Sequence, residues 1–234
     1  MKKLLLIIAV AATGLTGASA QIFKTINSVE MTGAYMNVSN LASDGGASQF
    51  GSSWAIADLR ASFPTATSVT MLPNSIGDPN AYWYTPSGGV GALGNKMMEA
   101  NLYGQVDGSY AGQTITFAGS VSSFSLSTNS AGIPYTLTAF IKDFAPDFSS
   151  SFSSTQVITS TGDFSLNLTA SSGTNRHVQW GLQLVGPDIW ATDTAQLGVA
   201  GSATIDAVPE PSTYALLALG AAGFGAHLVR RRRR

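Results

Sequence analysis

The stretch Tyr135-Thr136-Leu137-Thr138-Ala139-Phe140-Ile141-Lys142 decides the fold class. Tyr135, Leu137, Ala139 and Ile141 alternate with Thr136, Thr138, Phe140 and Lys142. A period of two sends the two sets to opposite faces of an extended strand, and one apolar face marks a strand packed on one side. The period recurs. Phe164, Leu166 and Leu168 alternate with Ser165, Asn167 and Thr169, and Val178, Trp180, Leu182 and Leu184 alternate with Gln179, Gly181 and Gln183. Ile115 and Phe117 sit among Thr114 and Thr116, and Phe124 and Leu126 among Ser123, Ser125 and Ser127. Turn phrases separate the runs: Asp107-Gly108, Asn129-Ser130-Ala131-Gly132, Thr161-Gly162-Asp163, Ser171-Ser172-Gly173 and Gly186-Pro187-Asp188. Many short strands without long helical periodicity predict an all-β chain. The expected fold is a single antiparallel, jelly-roll-like β-sandwich over residues 21–207. Residues 21–70 are less patterned, and Ser53-Trp54-Ala55-Ile56-Ala57 reads as strand or as a short helical turn.

The two ends follow other rules. Lys2 and Lys3 precede an apolar run from Leu4 to Ala12, and Ala18-Ser19-Ala20 offers small residues for cleavage before Gln21. That order predicts a secretory signal peptide over residues 1–20, handled by the secretion machinery and signal peptidase. At the other end, Val208-Pro209-Glu210-Pro211-Ser212 precedes an apolar run from Tyr214 to Val229, followed by Arg230, Arg231, Arg232, Arg233 and Arg234. Pro209 and Pro211 fix φ and push the residues before them out of helix, so the motif is expected to be extended. As a helix, Tyr214–Val229 spans roughly 24 Å, slightly short of a ~30 Å hydrocarbon core. The arginine stems can snorkel to make up the difference, and their charge holds that end in the cytoplasm. The expected topology is a membrane-anchored precursor with everything before the anchor outside.

This tail, residues 208–234, resembles the PEP-CTERM sorting domain: Pro-Glu-Pro motif, transmembrane helix and arginine cluster stand in order at the C-terminus. The resemblance implies recognition by an exosortase, a membrane-embedded cysteine peptidase, and delivery to the cell surface or extracellular matrix. A second resemblance is to galactose-binding-like jelly rolls. It is carried by Ala111-Gly112-Gln113-Thr114-Ile115-Thr116-Phe117 and by Ile189-Trp190-Ala191-Thr192-Asp193 after the Val178–Leu184 strand. It implies a jelly-roll topology, in a group that includes carbohydrate-binding modules.

Without these ends the charge balance changes. The whole chain is near neutral at −1, but residues 21–207 hold five basic and twelve acidic residues, a net charge near −7. An acidic exported part argues against nucleic acid as a partner. There is no cysteine, which excludes thiol catalysis, thiolate metal sites and disulfide stapling.

No persuasive catalytic set emerges, and neither metal nor cofactor is expected. His177 is the one histidine of the exported part, and no Gly-x-Ser-x-Gly elbow exists. It reads as a strand-edge or loop residue. Ser165 falls inside an alternating strand and reads as outward-facing. Asp143 and Asp147, around Phe144-Ala145-Pro146, read as a solvated loop. Loop carboxylates could instead hold a structural Ca²⁺, or a pair could serve a glycan hydrolase. Aromatics are the better ligand candidates, because flat rings stack on the C–H faces of sugars. Tyr82-Trp83-Tyr84 lies between Pro79-Asn80 and Pro86-Ser87-Gly88-Gly89, so at least one ring should be exposed; Trp190 follows Gly186-Pro187. Against that reading stands a plain strand in which Trp83 fills the core and the tyrosines lie on neighbouring loops. Trp180 is core by its alternation. The expected function is a non-enzymatic surface or matrix protein among exopolysaccharide, with carbohydrate binding through these rings as the alternative.

Overall fold

Four of the alternating runs form strands in the computed structural model, which describes residues 21–210, while the run of Phe124 and Leu126 leaves the strand after Phe124. The signal peptide with Ala18 and Ala20, and the tail residues Pro211, Ser212, Tyr214–Val229 and Arg230–Arg234, lie outside the described residues. In chain order the strands are β1 (Ile22–Lys24), β2 (Gly33–Asn40), β3 (Ser48–Ser53), β4 (Ala61–Thr65), β5 (Ser68–Met71) and β6 (Ser75–Ile76). Next come β7 (Tyr84–Thr85), β8 (Leu93–Gly94), β9 (Lys96–Asp107), β10 (Thr114–Phe124), β11 (Thr136–Phe144) and β12 (Ser151–Ile158). The last are β13 (Gly162–Thr169), β14 (His177–Pro187), β15 (Ile189–Trp190) and β16 (Ala203–Asp206), with helix α1 (Thr194–Ala200) before β16.

Two six-stranded sheets make a β-sandwich. One has the order β12-β11-β14-β9-β2-β3 and is antiparallel throughout. The other is built on β10: β13 lies on one side, β1 and β16 share the other, and β5 and β4 follow. There β1 runs parallel to β10, the departure from an all-antiparallel sandwich.

The apolar faces meet in one cluster. Leu102, Leu137, Ile141, Trp180 and Leu182 come from the first sheet, and Val69, Ile115, Phe117, Leu166 and Ile205 from the second. Each fully buried aliphatic or Phe side chain contributes about 1.5–3 kcal/mol of transfer free energy. Trp180 is 1% exposed, and Ser165 faces outward, as the alternation predicts.

Two expectations need correction, and one open reading resolves. Gly186-Pro187 does not turn the chain. Both residues continue β14, opposite Met98 and Met97, and the pairing with β11 has already stopped at Val185. Ser53 ends β3, and the turn follows over Ile56–Arg60. Asp143 is not solvated. It stands on β11 one step after Lys142 and is fully buried. An inward carboxylate is tolerated because its polar atoms are satisfied: Arg176 Nε donates at 2.7 Å and the Ser171 amide at 2.8 Å, while Arg176 Nη2 reaches the Asp143 carbonyl at 3.1 Å. Asp147 does sit in the following loop, accepting from its neighbour Ser149.

Candidate functional site

The root of the tail is part of the sandwich. After β16, the Ala207 amide donates to the Thr67 carbonyl at 2.8 Å and the Val208 amide to Thr25 Oγ1 at 2.9 Å. Pro209 and Glu210 are exposed and outside any strand or helix. The chain therefore leaves from beside β1, in the non-helical form that the prolines predict. Gln21, at the expected mature start, is exposed and bonds to Thr116 and Asn167.

One ring of the loop aromatics, Tyr82, is exposed as the sequence implies, but the core ring is not the expected one. Tyr84, not Trp83, is the core ring. It is fully buried, and its hydroxyl lies 2.7 Å from the Ile76 carbonyl and 2.8 Å from the Ile189 carbonyl while accepting from the Ile76 amide. Tyr84 starts the short β7–β8 ladder, so its phase is set there and not by Trp83. Trp190 packs edge-on against Tyr84 at 5.5 Å and lies across Gly88, where a Cβ would stand 2.3 Å from its ring. Tyr82 is exposed and Trp83 half-buried; Phe50, Tyr82 and Trp83 meet edge-to-face, with Lys96 Nζ 4.3 Å over Tyr82. The structure thus pairs buried Tyr84 with half-buried Trp190, and exposed Tyr82 with half-buried Trp83.

Beneath Tyr84 lies Asp188. One of its oxygens accepts from the Lys96 amide at 3.1 Å, while the other, buried, has no partner among the described residues. Burial pushes the carboxyl up to about 7. Burial raises the Tyr84 and Tyr135 phenols too, and the nearby Asp188 adds to this. Asp193, late in the chain, caps α1 instead: it accepts from the Gln196 and Gly91 amides, which hold its carboxyl below the usual range.

A further surface went unnoticed in the sequence. On the first sheet, Leu102, Trp180 and Ile141 point inward, so the intervening residues point out. Tyr35 and Asn37 on β2, Asn101, Tyr103 and Gln105 on β9, Gln179 on β14 and Lys142 on β11 line a cavity of about 550 Å³. Phe144 and Phe148 close one side. The amides form chains: Gln179 Nε2 donates to Gln105 Oε1 at 2.7 Å, Gln105 Nε2 to Asp107 at 2.8 Å, and Gln183 Nε2 to Asn101 Oδ1 at 2.9 Å. Lys142 reaches Asn101 Oδ1 at 3.4 Å; burial lowers its pKa, partly offset by Glu99. His177 begins β14 beside this rim. It bonds to Asp107 at 2.7 Å, stacks on Phe148 at 4.1 Å, and is raised by Asp107. A signal was present in the sequence. The polar positions here are Asn, Gln and Tyr, where those of β13 include Ser and Thr.

No curated protein and no solved structure matches the chain. Residues 207–234 match the family model of the PEP-CTERM protein-sorting motif, so the tail rooted at Val208 is that motif and marks an exported, membrane-anchored precursor sorted by an exosortase.

Proposed function

We propose that the β-sandwich is the cargo and the tail its address label. An exosortase cuts at or near Pro209-Glu210-Pro211, and the acidic sandwich is left at the cell surface or in the extracellular matrix. There it acts as a non-enzymatic structural or interaction protein among exopolysaccharides. The observation that carries this reading is the sorting-motif match at residues 207–234, directly after the last strand of the sandwich. The exposure of Pro209 and Glu210 supports it, since a peptidase needs an extended segment it can grip.

The test is fractionation of cells with active and inactivated exosortase. Active enzyme should give a shortened product outside the membrane fraction. Inactivation should leave full-length protein in the membrane. Equal mass and location in both strains would overturn the reading. Carbohydrate binding is a second reading, favoured by the outward face of the first sheet more than by Tyr82 or Trp83.

A further inference from the structure

We propose that the cavity over β2, β9, β14 and β11 binds a neutral oligosaccharide, a segment of matrix polysaccharide, between its tyrosine rings and its fixed amides. This rests on the reading of the sandwich as a matrix protein and names what it would hold.

Size is the first argument. About 550 Å³ lies within the ~300–1,000 Å³ range of small-molecule clefts. The second is the floor. Tyr103 has glycine on both flanking strands, Gly33 on β2 and Gly181 on β14. A Cβ at Gly33 would stand 2.4 Å from the Tyr103 ring, and one at Gly51 would stand 2.6 Å from Asn37 Oδ1 and 2.9 Å from Tyr35 Oη. Glycine thus lets these side chains lie along the sheet and leaves the space above them open. Ring faces of this kind match the C–H faces of pyranoses.

The third argument is polar chemistry. Gln179 is nine-tenths buried, its Nε2 is held by Gln105, and its Oε1 has no partner among the described residues. The Tyr35 and Tyr103 hydroxyls likewise form no hydrogen bond there. A sugar hydroxyl both donates and accepts, as these groups require. The amide chain is already ordered, so little side-chain entropy is lost on binding.

Charge selects the class. Lys142 is the charged side chain lining the cavity, and Glu99 on the next-but-one strand offsets it. Residues 21–207 carry a net charge near −7, which disfavours polyanions. A neutral chain fits better than a polyuronate or a nucleic acid.

The full-length chain in detergent would be titrated with soluble neutral polysaccharides (dextran, laminarin, galactomannan, xyloglucan) and with alginate and polygalacturonate. Binding to at least one neutral polymer is expected, stronger than to either polyuronate. Tyr103→Ala should lose at least tenfold, Tyr35→Phe/Tyr103→Phe about three- to tenfold, and Val199→Ser on α1 should bind as wild type. The double Phe variant keeps the rings, so it reports on the hydroxyls even if Tyr103→Ala fails to fold. Preference for a polyuronate, or binding abolished by Tyr82→Ala but unchanged in the double Phe variant, would overturn the proposal. So would no binding to any polymer by a protein that still reaches the matrix, a result that leaves the sorting reading standing.

Discussion

Two buried carboxylates show how placement sets a residue's worth. Asp143 and Asp188 are both fully buried, but Asp143 is in direct ion-pair contact with Arg176, whereas the Lys96 charge acts on Asp188 only from a distance. Removing that partner leaves a charge in a low-dielectric site, which costs about 3–5 kcal/mol. Arg176→Met should therefore destabilise by about that amount in urea melts, and Asp143→Leu/Arg176→Met should recover much of the loss. Asp188 behaves oppositely. Its folded pKa of about 7 exceeds the unfolded value of about 3.9, so the folded state holds its proton more tightly. Its stabilising contribution is fully present below about pH 4 and is lost as pH rises through about 7. Asp188→Asn keeps the shape without the titration. Between pH 5 and pH 8 the stability difference should move in favour of the variant by about 1–3 kcal/mol. Thermal melts of both proteins at the two pH values check this. His177, raised by its bond to Asp107, is common to both proteins and cancels.

At the level of the strand, the first sheet shows what a side-chain period can and cannot reveal. Leu137, Ile141, Trp180 and Leu182 were assignable to the core because burial follows alternation. Asp143 was not, because the pairing that permits it comes from Arg176, 33 residues away. Tyr84 escaped for a similar reason: its phase depends on a two-residue ladder with Leu93–Gly94 that no periodicity announces. The outward cavity was half legible. Its residues sit at positions readable as polar, but only cross-strand register brings Gln105, Gln179 and Lys142 side by side. Register also separates two glycines that look alike in sequence. A Cβ on Gly181 would stand 2.1 Å from the Leu102 carbonyl, backbone that cannot swing away. Gly181→Ala should cost at least about 2 kcal/mol by forcing β14 from β9. At Gly33 the obstacle is the Tyr103 ring, which can move. Gly33→Ala should cost less, about 1 kcal/mol, and displace the ring over the cavity. Paired chemical-denaturation curves decide this; equal losses would contradict it.

Across the molecule, the fold determines how the motif is offered to its peptidase. β1 and β16 lie against the same side of β10, and the Val208 amide is hooked onto Thr25. The motif cannot drift from the sandwich, because its first residue is part of it. On the other side, the apolar run begins at Tyr214, four residues after Glu210, a span of at most about 14 Å. A peptidase working at the membrane must then reach a short segment held between a folded body and the bilayer. Confinement of that kind restrains docking, so loosening it should speed processing. Ten Gly/Ser residues inserted between Ala207 and Val208 would add about 17 Å of mean reach. They would break the Thr25 contact while leaving both sheets intact. Pulse–chase labelling should show the full-length precursor converting to product several-fold faster. Thr25→Val, which removes only the hook, should give a smaller acceleration in the same direction. Unchanged or slower conversion in both variants, with the thermal midpoint preserved, would mean that the sandwich does not restrain the motif and that its position beside β1 has no bearing on sorting.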